Sequence, residues 1–146
     1  MLMHSGCLPL LNCFNVSQIV ENLYNTIVDE ATAIEFYSRL LVEAPNELHR
    51  EFIAEARDEE MEHLEKFTML YCHYTGYMPY YIITPVRYLN YKEGILRALK
   101  DESSAADYYR NVQLSTTDIL VKDTYYYAMV DELRHATFFS TLYNTL

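Results

Sequence analysis

The sequence predicts an all-α fold, an antiparallel four-helix bundle with a long crossover between its second and third helices. Three observations lead there. First, the 146 residues are 51% hydrophobic but hold only three Gly and four Pro, too few turn-formers for a many-stranded β fold. Second, four long stretches carry apolar residues at alternating steps of three and four, which lines one side of a helix. Third, the second half repeats the first. An offset of 72 maps Asp29, Glu30, Tyr37, Glu60, His63, Phe67 and Tyr71 onto Asp101, Glu102, Tyr109, Glu132, His135, Phe139 and Tyr143. Two helical hairpins related by a pseudo-twofold axis give such a repeat.

Residues 1–14 are apolar, but no Lys or Arg precedes the run and Pro9 and Asn12 interrupt it. This is too short to span a bilayer and poor as a signal peptide. It is expected to be an arm that packs on the bundle, residues 15–146, or on a partner subunit. Asn15 or Ser17 can cap the first helix. Its seam is Val20, Leu23, Ile27, Glu30, Ile34, Tyr37 and Leu41. Ala44-Pro45-Asn46 makes a short connection. The second helix is expected from about 46 to 75, with the seam Ile53, Ala56, Glu60, His63, Phe67, Leu70 and Tyr74. Gly76 is its natural stop.

Residues 76–90 form the long connection, with Pro79 and Pro85 inside it. Extended, it reaches roughly 50 Å, and a helix of about 30 residues is roughly 45 Å long. The third helix can therefore begin at the far end of the bundle. Asn90 with Glu93 resembles a capping box, and Ile95, Leu99, Glu102, Ala106 and Tyr109 follow as a seam. Residues 115–118 (Ser-Thr-Thr-Asp) read as a turn and a new cap. The last seam is Val121, Tyr125, Ala128, Glu132, His135, Phe139 and Leu142.

Polar residues sit in the middle of every seam. Glu60 and His63, and likewise Glu132 and His135, are three apart and share a helix side. Glu30 precedes Glu60 by 30 positions, as Glu102 precedes Glu132. Counted from the turns near 45 and 116–117, all four carboxylates fall at one height. Any single Glu-x-x-His reads more readily as a solvated acid beside a core histidine. Four interruptions of core seams at one level do not. Unpaired buried carboxylates cost several kcal/mol each, and two divalent cations would offset them. Carboxylate and imidazole suit iron, manganese or zinc rather than copper(I). One Glu from each of two helices plus Glu-x-x-His from the other two is the scheme of di-iron and di-manganese bundles. In it Glu60 and Glu132 are shared, with His63 on one metal and His135 on the other.

The stretches 29–37 (DEATAIEFY) and 58–64 (DEEMEHL) resemble the rubrerythrin and ferritin-like superfamily, over about residues 17–144. The resemblance implies two Fe ions (Mn or mixed Fe/Mn being alternatives) held by Glu30, Glu60, His63, Glu102, Glu132 and His135. It implies that Glu59 supports His135 and Asp131 supports His63. It also makes Tyr37 and Tyr109 candidate catalytic tyrosines that bond a ligand or pass an electron, with plain core packing as the alternative. Two departures stand out: Ala105 replaces a Glu usual in rubrerythrins, and no Cys-rich rubredoxin domain is expected. The short fifth helix of cage ferritins is also not expected. The implied function is reduction of O2 or hydrogen peroxide with oxidation of iron, of the ferroxidase or peroxidase kind, in iron handling or oxidative stress, with an unknown electron donor. The alternatives are iron binding or storage without catalysis, or a structural bundle with a metal site.

The formal net charge of −10 argues against nucleic-acid binding and for a cationic ligand. Cys7, Cys13 and Cys72 have neither disulfide-framework nor Cys-x-x-Cys spacing. Reduced thiols and a cytoplasmic setting are expected. No run of 18 apolar residues supports a membrane span. A homodimer is expected, through the N-terminal arm or an aromatic face at Tyr77–Tyr81.

Overall fold

The computed structural model describes residues 8–146, with side chains from residue 15 onward. Four helices make the fold: α1 (Leu8–Glu43), α2 (Glu47–Thr75), α3 (Tyr91–Ser115) and α4 (Ile119–Asn144). No strand occurs among the described residues, and none of their helices is long and apolar enough to cross a membrane.

The first helix is already formed at Leu8, where the described residues begin, so it runs through its expected caps Asn15 and Ser17. The expected packing of the 1–14 arm lies outside the described side chains. The other ends follow their local chemistry. Asn46 caps α2 by accepting from His49 N at 3.1 Å. Gly76 ends α2 at φ 77°, and its N–H donates to Cys72 O at 2.8 Å; this left-handed backbone suits glycine. Asn90 accepts from Glu93 N at 3.0 Å. The Glu93 carboxylate reaches back to Leu89 N at 2.7 Å, one residue earlier than a reciprocal capping box places it. Asp118 caps α4 from Val121 N at 3.2 Å and also accepts from the Tyr74 hydroxyl at 2.5 Å, tying the start of α4 to the end of α2.

The crossover climbs alongside α1. Tyr24 donates to Tyr80 O at 3.3 Å, Arg39 to Val86 O at 2.8 Å, and Tyr88 to Glu43 at 2.6 Å. Positions rise together in both segments, so the crossover runs parallel to α1 and delivers α3 to the far end. Gly94 makes the arrival possible. A Cβ there would sit 2.7 Å from Leu40 Cδ2 and 3.2 Å from Tyr88.

Within each hairpin the helices pack closely, α1 on α2 and α3 on α4; between hairpins α2 meets α4 more extensively than α1 meets α3. Two apolar cores result. One holds Leu23, Ile27, Phe67 and Tyr125, the other Phe36, Leu40, Ile53 and Phe139. Glu30, Glu60, His63, Glu102, Glu132 and His135 lie between them in sequence along every helix, and all are buried. The α4 seam is buried at all seven expected positions. The α1 stripe is turned: Ile19, Thr26 and Leu40 are buried, while Val20, Ile34 and Leu41 are half-buried. A helix that meets both its hairpin partner and the crossover buries a broader stripe than a coiled-coil seam does. Thr26 is tolerated there because its hydroxyl meets Tyr125 OH at 2.8 Å. Tyr74 and Leu99 are also only half-buried.

Candidate metal centre

The bundle brings six side chains from four helices into one buried layer. Two overlapping groups form there, Glu30–Glu60–His63–Glu132 and Glu60–Glu102–Glu132–His135. Within each, one donor atom per residue lies within 4.8 Å of all the others. Glu60 and Glu132 belong to both groups, and each histidine belongs to one. Helical spacing explains the pairing, since a residue three positions on projects from the same side one turn later.

The imidazoles are oriented alike. His63 Nδ1 lies 3.2 Å from both Glu60 Oε2 and Glu132 Oε1, and 3.8 Å from Glu30 Oε1. His135 Nδ1 lies 3.1 Å from Glu60, 3.4 Å from Glu132 and 3.6 Å from Glu102. The outer nitrogens face acids: His63 Nε2 is 3.0 Å from Asp131 Oδ2, and His135 Nε2 is 2.7 Å from Glu59 Oε2. Both Nδ1 atoms therefore point at the carboxylates. The tyrosines cross between hairpins. Tyr37 of α1 donates to Glu102 of α3, and Tyr109 of α3 donates to Glu30 of α1.

So many acids in one dry layer distort their own protonation. Burial pushes Glu30 well up, and the Glu60 charge adds to it. Burial and the Glu132 charge also raise Glu60. Burial and Glu102 raise Glu132 to about 8. Glu102 goes the other way: burial opposes its charge, but hydrogen bonds with Glu132 and His135 hold it below the usual range. Burial disfavours a charged His63, yet Glu132, Glu60 and Glu30 push it up to about 12, and His135 is raised by Glu102, Glu132 and Glu60. Burial, then Glu102 and Glu30 respectively, raise Tyr37 and Tyr109 well above 10, so both stay hydroxyl donors.

Protons thus offset part of the layer's negative charge. Glu132 Oε1 is buried and makes no well-formed hydrogen bond, although His63 Nδ1 lies 3.2 Å away. That under-satisfied oxygen and the all-oxygen-and-imidazole donor set fit two divalent cations of the iron, manganese or zinc kind.

The layer is reached from one side by a cavity of about 350 Å³ between α1 and α3. Glu30, Glu60, Glu102 and Glu132 line its buried end, and Asp29, Arg97 and Asp101 its outer end. Ala33 and Ala105, also 72 apart, line it one turn past Glu30 and Glu102. Their small side chains leave this space open. A smaller cavity of about 190 Å³ reaches His63 from the α2/α4 side, beside Lys66.

Sequence pattern alone does not single out Arg134, whose guanidinium bonds Glu59 and lies 3.2 Å from Asp131. Its only advance signal is its place inside a Glu-x-Arg-His stretch. Cys72 is free and lies nine residues past His63 on α2; Cys7 and Cys13 lie outside the described side chains.

Fold and site together define a ferritin-like four-helix bundle with a buried carboxylate–histidine cluster. Solved structures share the fold, among them two at 24% identity. One is a hypothetical protein from Pyrococcus furiosus, with a TM-score of 0.74 and 24% identity over 86% of this chain and 88% of that one. The other is the bacterioferritin of Rhodobacter capsulatus, described with a metal-free dinuclear site and heme iron. Its TM-score is 0.73, with 24% identity over 88% of this chain and 85% of that one. No family model matches the chain. It is 31% identical over 121 residues, 83% of each protein, to the uncharacterized protein YhjR of Bacillus subtilis (strain 168). The chain belongs to the YhjR family.

Proposed function

We propose that this protein is a di-metal, di-iron carboxylate oxidoreductase that reduces O2 or hydrogen peroxide as ferrous iron is oxidised. The observation that supports it best is the pair of overlapping four-residue groups sharing Glu60 and Glu132. Glu30 and His63 would complete one position, and Glu102 and His135 the other. When bound, iron would supply the electrons, one from each of two ferrous ions, enough with two protons to take peroxide to two waters or O2 to peroxide.

The chain's own residues do the rest. Tyr37 and Tyr109, the candidate catalytic tyrosines, keep Glu102 and Glu30 aimed inward and hold protons at hydroxyls beside the cavity. Phe36 and the apolar cores above and below limit water. The cavity between α1 and α3 admits a small neutral oxidant, and its acidic lining suits a divalent cation. Glu59 and Asp131 keep the histidines in place, as outer acids do for metal-bound imidazoles. Ala105 lines the cavity where rubrerythrins have a further carboxylate, so the site departs from theirs by an open position in place of an extra ligand. The electron donor is a separate partner, and the cytoplasm is the proposed setting. A homodimer through the exposed residues Tyr77, Met78 and Tyr80 completes the proposal.

Anaerobic reconstitution tests it. Two equivalents of ferrous iron are added, then O2 or peroxide, while absorbance and oxidant are followed. Repeated oxidant consumption with a diferric band supports the enzyme. Iron uptake far beyond two per chain supports storage instead, and oxidant unchanged by the iron-loaded protein overturns the redox reading.

A further inference from the structure

On the α2/α4 side of the polar layer, charges outside the candidate ligand set face the two histidines. Glu59 Oε2 holds His135 Nε2 at 2.7 Å, and Asp131 Oδ2 holds His63 Nε2 at 3.0 Å. These acids come from different helices and serve different imidazoles. One side chain joins them: Arg134 Nη2 donates to both oxygens of Glu59 and, at 3.2 Å, to Asp131 Oδ1. The offset of 72 that repeats the rest of the layer fails here, because the equivalent of Arg134 is Glu62. A symmetric arrangement would need two cations. This one uses a single guanidinium nitrogen, Nη2, set between two carboxylates.

We propose that Arg134 is a positioning residue for both halves of the centre. It holds Glu59 and Asp131 together, and through them turns both Nε2 atoms outward and both Nδ1 atoms onto the carboxylates. The inference rests on the di-metal reading and adds to it a single residue on which both metal positions depend. Its effect is on geometry more than stability, since the Arg134 side chain is 45% exposed and exposed ion pairs contribute little to folding. For the same reason variants at 134 are expected to fold.

The test compares Arg134→Gln, Arg134→Lys, Glu59→Gln and Asp131→Asn. Two quantities are read: the hydrogen-bonded Nε2–H signals of His63 and His135 in 1H–15N spectra, in chelator-treated and Zn(II)-loaded protein, and the affinity for Co(II) under anaerobic titration. Arg134→Gln is expected to broaden both Nε2–H signals and to weaken both Co(II) equivalents by about tenfold, the low end for loss of an outer partner. Arg134→Lys recovers part of both effects. Glu59→Gln moves the His135 signal alone, and Asp131→Asn the His63 signal alone. Sharp, unmoved signals with unchanged affinities in Arg134→Gln overturn the proposal, as does disturbance of one histidine only. If wild-type protein takes up no Co(II), the di-metal reading fails, while the Nε2–H signals of the metal-free protein still decide the role of Arg134.

Discussion

The α1–α2 and α3–α4 hairpins are built to one plan, and they agree most where their side chains meet. Glu30 and Glu102, Ala33 and Ala105, Tyr37 and Tyr109, Glu60 and Glu132, and His63 and His135 match at the buried layer and its cavity. They part on the outer side of α2 and α4, where one hairpin has Glu62 and the other Arg134. Even the matching tyrosines do not serve their own hairpin, since each bonds the glutamate of the other. The two halves therefore form one shared centre rather than two separate ones, and substitutions should divide into those that damage both halves and those that damage one.

The largest effects are expected at the shared acids. Loss of an outer partner already costs roughly 10–100-fold in metal affinity. Glu60→Gln or Glu132→Gln should therefore weaken both Co(II) equivalents by more than about 100-fold, as calorimetry would read. If either variant loses only one ion, the shared roles are wrong. Next come the histidines. His63→Ala and His135→Ala are each expected to weaken one ion by at least about tenfold and to leave the other nearly intact; equal loss of both ions would break the division into halves.

A pH effect should separate the metal-free from the loaded protein. In the metal-free fold Glu132 is raised from 4.5 to about 8 and His63 from 6.5 to about 12. Both make the native state bind more protons than the unfolded chain, so stability falls as pH rises. For Glu132 the loss runs from its unfolded value through about 8; for His63 the stabilisation is full below 6.5 and is lost toward about 12. Chelator-treated protein should therefore have a lower urea midpoint at about pH 8 than at about pH 5, and Glu132→Gln should flatten the difference. Loading should expel these protons, about two per chain from the imidazoles alone, visible with an indicator dye in weak buffer. A metal-free midpoint that rises over this range would contradict the charge distribution drawn here.

The smallest effects belong to the tyrosines. Tyr37→Phe and Tyr109→Phe each leave a buried carboxylate one donor short, at a cost of about 1 kcal/mol in stability, with metal affinity changed only a few-fold. Slower oxidant consumption at normal metal occupancy is expected in both, and equally. A rate unchanged in both variants would return the tyrosines to plain packing.

The layer was legible in the sequence because carboxylates and imidazoles stand on apolar seams, where chance surface acids do not fall, and because the offset of 72 writes it twice. The α4 seam could be read at every position for the same reason. Other features depend on relations between elements that a one-dimensional pattern does not hold. The cross-pairing of Tyr37 with Glu102 requires knowing how hairpins face each other. Arg134 looks like any exposed charge until α2 brings Glu59 beside it. The turned stripe of α1 reflects the crossover lying along it. The cavity comes from two alanines, and small residues leave little trace in a hydrophobic pattern.

Anaerobic titration of the chelator-treated protein with Co(II) or ferrous iron, beside Glu60→Ala and Glu132→Ala, tests the shared centre most directly. The expected result is saturation at two ions per chain in the wild type and no stoichiometric uptake in either variant. Wild-type protein that binds no metal, or variants that still take up two ions, would contradict it.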